Sequence, residues 1–251
     1  MPHLDLFDFG SNQIALIALL FVWAGFVRSG LGFGGAALGL PLMLFIDNRP
    51  LFWLPIIGTH LLFFSALTLR TRMNDVDWRF LRFAASYVIP AALVGIFGLL
   101  HLPNRWLLIF IYSVTLLYAL LWLLDLQIRS DGDWVDRFLL VAGGYVAGTS
   151  LSGAPIMVAV FMRNIAPLQL RNTMFVLWFV LVSVKMSTFA AVGVKLHFAT
   201  ALALIPVAAI GHVVGLRSHD YILRNDRMFR RVIGGVLFVI CALGFWRLNH
   251  G

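Results

Sequence analysis

Apolar runs long enough to enter or cross a bilayer recur along the whole sequence, and no soluble architecture accommodates them. They cover residues 14–27, 31–46, 51–69, 80–100, 106–124, 134–147, 154–162, 168–192, 198–216 and 232–246. A spanning helix needs about 20 apolar residues at 1.5 Å per residue. Inside hydrocarbon every backbone N–H and C=O must find a partner within the chain, so such runs become helices. Only 12% of the residues are charged and 61% are hydrophobic, against about 25% charged in a soluble domain. The sequence therefore predicts an all-α, polytopic membrane protein whose first partner is the lipid bilayer. Residues 1–10 contain Asp5 and Asp8 but no Lys or Arg. That lacks the basic start of a secretory signal, so the first apolar run is expected to stay in the protein. The net charge of +8 comes mostly from loop arginines, which set membrane orientation and give no reason to expect nucleic acid. The single Cys241 excludes an internal disulfide and argues against a thiolate metal site. No metal or cofactor is expected.

Residues 28–41 interrupt the first long apolar run with Arg28, five glycines and Pro41. Glycine lets the backbone turn or approach another group closely, because it has no Cβ to clash. Two readings fit this stretch: a helix broken at a binding site, or tight helix–helix packing through small residues. The segment 154–162 spans only about 14 Å, too short for a ~30 Å hydrocarbon core. It is expected to form a hairpin with 134–147 that enters and leaves on one side, and 14–27 with 31–46 is expected to form another. Orientation follows from the arginines. With both hairpins returning to their own side and the N-terminus outside, Arg70, Arg72, Arg79, Arg82, Arg129, Arg137, Arg163, Arg171, Arg217, Arg224, Arg227, Arg230 and Arg231 are cytoplasmic. Arg49, Arg105, Lys195 and Arg247 are outside, and Arg28 and Lys185 stay in the membrane. That asymmetry satisfies the positive-inside rule. Two full crossings per hairpin would give the same loop assignment.

The two halves align. Gly25-x-x-x-Ser29-Gly30 matches Gly148-x-x-x-Ser152-Gly153, and each is followed by a short apolar piece and three long helices. A hairpin plus three spans is an odd number of crossings, so the second copy is inverted. The expected organisation is one membrane domain of two inverted repeats, residues 1–125 and 126–251. Inverted repeats are a transporter architecture with the site where the repeats meet.

These residues resemble the sulfite exporter TauE/SafE family, also called the toluene sulfonate uptake permease family. The resemblance is carried by Gly30-Leu31-Gly32-Phe33-Gly34-Gly35 with Pro41, by Ser150-Leu151-Ser152-Gly153-Ala154-Pro155, and by the stretch from Arg171 to Lys185. In that family glycine is common where Ser150 stands, and proline or glycine where Ala154 stands. The resemblance implies a multi-pass transporter of the cell inner membrane that carries a small sulfur-containing anion such as sulfite or a sulfonate.

The candidate substrate-binding residues are Arg28, Ser29, Gly30, Gly32, Gly34, Gly35, Ser150, Ser152, Gly153 and Lys185. An arginine at the bilayer centre costs about 2.5–3.5 kcal/mol on insertion scales, so Arg28 either meets a ligand or cavity or reaches the headgroups. Its planar fork suits an oxyanion. Lys185 has the same two readings, a site or a snorkelling stem. Ser29, Thr149, Ser150 and Ser152 either donate to an anion or cap their own helix ends. The helix N-termini after the two glycine-rich tips favour an anion by their free N–H groups and positive dipole ends. His60 and His212 are read as packed neutral side chains, with proton coupling as the other reading. The expected function is secondary transport of a small anion bound near the midplane between the two tips. No catalytic constellation is present, so an enzyme is not expected. The rival classes are a membrane-embedded enzyme and a non-transporting subunit of a membrane complex.

Overall fold

A computed structural model describes residues 8–31, 35–70, 73–224 and 226–250. All regular structure among them is helical. The helices are α1 (Ser11–Leu31), α2 (Gly35–Met43), α3 (Pro50–Leu69), α4 (Trp78–His101), α5 (Asn104–Leu123), α6 (Asp133–Ser150), α7 (Ala154–Asn164), α8 (Pro167–Ala191), α9 (Phe198–Arg224) and α10 (Asp226–His250), with a 3₁₀ turn at Met73–Asp75. Among the described residues seven helices, α1, α3, α4, α5, α8, α9 and α10, are long and apolar enough to span a bilayer. The chain is a polytopic membrane protein. At 9 and 11 residues, α2 and α7 reach only about 14–17 Å and cannot cross alone.

Local chemistry fixes several helix ends. Asp77 caps α4 by accepting a 2.9 Å bond from the Phe80 N–H. Proline opens α7 and α8, where its missing N–H is no loss. Other ends differ from the sequence expectation. The first break falls after Leu31, so Arg28, Ser29 and Gly30 lie within α1 instead of in a loop. The helices α9 and α10 extend well past their apolar runs, into the arginine-rich stretch expected as a loop. Hydrophobicity marks what lipid covers, whereas a helix continues as long as its backbone bonds do. Arg227 donates to Asp125 at 2.5 Å and holds that carboxyl below the usual carboxylate range.

The helices form two compact units, each drawing on both halves of the sequence. One contains α1, α2, the beginning of α3, α5, α9 and α10, and the other contains the rest of α3, α4, α6, α7 and α8. In the first unit α1 and α9 run parallel with their backbones almost touching. A Cβ added at Gly211 would lie 1.8 Å from the Val22 oxygen, one at Gly25 2.2 Å from the Ala208 oxygen, and one at Gly215 2.4 Å from the Phe26 oxygen. The second unit packs α4 on α6 in the same register. A Cβ at Gly148 would lie 2.1 Å from the Ala92 oxygen, and one at Gly95 2.3 Å from the Tyr145 oxygen. Gly25 and Gly148 are the matching glycines of the duplicated motif. Their partners lie in a second duplicated motif, Ile-Pro-x-Ala-x-x-Gly, at 89–95 and 205–211. Small residues let membrane helices approach until backbone meets backbone, where dispersion contacts are densest.

Candidate functional site

Among the described residues the two hairpins hold the candidate residues other than Lys185, which α8 supplies. In the first, α2 folds back on α1 so that a Cβ at Gly35 would lie 2.9 Å from both the Ala24 oxygen and the Arg28 Cβ. Gly32 and Gly34 lie outside the described residues. Arg28 is in the last turn of α1 and only 8% exposed; Ser29 is 3% exposed. A cation here opposes the partial negative charge of a helix C-terminus. The Ser29 hydroxyl is hydrogen-bonded to His212 Nδ1 on α9. Gly215, one turn on, would press a Cβ against Gly30 N and Ser29 Cβ at 3.0 Å. His212 therefore belongs to the first hairpin, a placement the sequence did not suggest. The Ile-Pro-x-Ala-x-x-Gly motif ending at Gly211 was the signal that could have found it.

In the second hairpin α6 ends in a left-handed residue, Leu151 (φ 58°), whose N–H bonds to Ala147 O. Gly153 then lies against α6: a Cβ there would be 1.9 Å from the Gly143 oxygen. This position requires glycine because the contact is with backbone, which cannot rotate away. The base of the hairpin is closed by Asp136, a buried carboxylate of α6. It accepts from Arg163 at 2.7 Å, from Asn164 at 2.9 Å and from Ser130. This ion pair ties the end of α7 to the start of α6.

The hydroxyls of this tip bond within the protein. Thr149 donates to Tyr145 O at 2.9 Å, Ser150 to Val146 O at 3.0 Å, and Ser152 to Ser150 O at 3.1 Å. Ser150 is thus inside the last turn of α6 and does not cap α7. Lys185 comes from α8 and is 1% exposed. Its ammonium donates to Gly148 O at 2.6 Å and Thr149 O at 3.2 Å, and it lies 5.6 Å from the Phe189 ring centre. Lys185 caps the C-terminal carbonyls of α6, and two of its three donors are engaged there.

Both hairpins thus place a buried cation at the C-terminal end of their first helix, supplied by α1 itself in one and by α8 in the other. In the first hairpin this puts the Arg28 Cβ beside Gly35, the first residue of α2. Arg171 sits near the start of α8 over the Phe175 ring at 5.5 Å, apart from the second tip. Among the described residues no group of three or more His, Cys, Asp or Glu is placed to hold a metal.

Lys185→Met is expected to lower stability by about 1–3 kcal/mol, the range for leaving buried acceptors without a donor. Thermal unfolding in detergent measures it. An unchanged midpoint would show that the two carbonyl bonds contribute nothing.

No curated protein and no solved structure matches the chain. The family described as Sulfite exporter TauE/SafE matches residues 17–243, a range that includes both hairpins and every spanning helix in whole or in large part. The chain belongs to the sulfite exporter TauE/SafE family, whose members are membrane transporters of sulfite or related anions.

Proposed function

We propose that this chain is a secondary transporter of a small sulfur-containing oxyanion, sulfite or a sulfonate, and that the two hairpin tips bind it. The observation that carries the reading is the pair of buried cations, Arg28 and Lys185, each at a hairpin tip of a chain from this family. An arginine fork matches sulfite or sulfonate oxygens two at a time. Lysine adds a point charge, and the first turn of each short helix adds N–H donors. The chain works in the cell inner membrane, and transport is driven by coupling to ions or protons or by the gradient of the anion itself. Residues 1–125 and 126–251 act as inverted repeats. The matched glycine registers of α1–α9 and α4–α6 support that duplication.

Transport is tested in proteoliposomes loaded with sulfite, thiosulfate or small sulfonates, with labelled anion outside. Exchange of at least one sulfur oxyanion well above empty liposomes is expected, with little exchange of organic cations. No exchange of any of them would overturn the reading and leave a structural role. Orientation is tested separately, with single cysteines placed in a Cys241→Ser background. Cysteines at 75 and 218 are expected to resist an impermeant thiol reagent in intact cells, and one at 103 to react. The opposite pattern would reverse the topology.

A further inference from the structure

A second polar site lies in the first unit, and its lining includes no residue of the first hairpin tip. The loop after α2, the start of α5 and the end of α10 line an open surface pocket of about 460 Å³, whose polar lining is Asn48, Asn104, Arg105, Tyr112 and Arg247; both arginines are solvent-exposed. Leucines from the same three segments supply the apolar part. Two bonds set its walls: Arg247 donates to Phe45 O at 2.9 Å, and Asn104 to Asn48 O at 2.8 Å. No carboxylate lines it. The nearby Asp47 is engaged by Arg49 at 2.8 and 2.5 Å. The helix ends of α5 and α10 meet here with opposite dipoles, so they largely cancel. The net positive charge therefore comes from the two guanidiniums. Arg247 has used one of its five donors, and the exposed Arg105 guanidinium makes no hydrogen bond or ion pair among the described residues.

We infer that this pocket binds the phosphate headgroup of an anionic membrane phospholipid. The level of the site in the bilayer carries the choice of a lipid over a soluble anion. Trp106 and Trp246, each next to one of the arginines, are 61% and 62% exposed. Exposed tryptophans on membrane helices mark the headgroup level. A pocket there, part apolar and part cationic, presents leucines to the glycerol and acyl roots and two arginine forks to the phosphate. A free oxyanion would gain nothing from the leucines.

Native mass spectrometry of the delipidated full chain, titrated with phosphatidylglycerol or phosphatidylcholine, tests the site. Both lipids carry a phosphate, but only the first has a net charge. Phosphatidylglycerol is expected to bind at least about tenfold more tightly. The double variant Arg105→Gln with Arg247→Gln should erase that preference. A charge-matched control, Arg82→Gln with Arg137→Gln, should keep it. Asn48→Asp puts a carboxylate into the pocket with both arginines intact and should also weaken phosphatidylglycerol. Equal binding of the two lipids, or a preference surviving the pocket variants, overturns the inference. So does displacement of the lipid by inorganic phosphate or sulfite at comparable concentration, which would make this a soluble-anion site.

Discussion

Gly148→Ala and Gly211→Ala are each expected to destabilise the folded protein by about 3 kcal/mol, the upper end of the overpacking range. Helix propensity alone predicts the opposite sign, because alanine is favoured over glycine in a helix interior by about 1 kcal/mol. The added methyl at Gly148 would lie 2.1 Å from the Ala92 oxygen and 2.8 Å from its Cα; at Gly211 it would lie 1.8 Å from the Val22 oxygen. These neighbours are backbone and have no rotamer to escape into, so the two helices must separate. Separation along a close-packed interface loses contacts over its whole length, since interiors are packed to crystal density. Gly132→Ala is the control, because no atom lies within 4 Å of its added Cβ and its extended backbone accepts any residue. Thermal unfolding and size-exclusion profiles in detergent give the measurement. Midpoints of both interface variants at or above that of the parent would show that these interfaces relax freely.

Arg28→Ala is expected to weaken binding of the transported anion at least tenfold, the equivalent of about 1.4 kcal/mol. Removing one member of a buried charge pair typically costs about 2–5 kcal/mol, so tenfold is a lower expectation. The packing of the first hairpin should survive. Gly35 lies against Arg28 Cβ, and alanine keeps that atom. Arg28→Lys keeps the charge but loses the bidentate fork, and should recover only part of the affinity. An arginine that serves only to reach headgroups gives a different result: Arg28→Lys would match the parent, and Arg28→Ala would change insertion or yield. The measurement is the concentration dependence of sulfur-oxyanion exchange in proteoliposomes at matched protein content. Equal half-saturation for all three proteins would remove Arg28 from the site.

Much of this protein was legible from its sequence, and the reasons are local. Apolar length and the absence of water in hydrocarbon dictate helices, so the ten segments 14–27 to 232–246 each correspond to one observed helix. The shortness of 154–162 marked α7 as unable to cross, because reach depends only on residue count. That shortness also located the second hairpin, and the glycine-rich interruption at 28–41 located the first. Helix ends were less legible: α1 runs through Arg28 to Leu31, and α9 runs through the arginines to Arg224. Polar residues leave lipid without leaving the helix.

What only the tertiary structure decided was partnership. The sequence order places α4 after α3 and α9 after α8, yet α4 lies against α6 and α9 against α1. Both interfaces rest on backbone oxygens meeting glycines, and a backbone oxygen has no signature in a sequence. For the same reason the sequence could list Lys185 as buried but not that its bonds go to Gly148 O and Thr149 O. It could list Ser29 and His212 but not join them across 183 positions. Burial and reach are properties of a residue and its neighbours along the chain. The partner of a buried polar group is set by which helix packs beside it, and that is fixed only when the whole chain has folded.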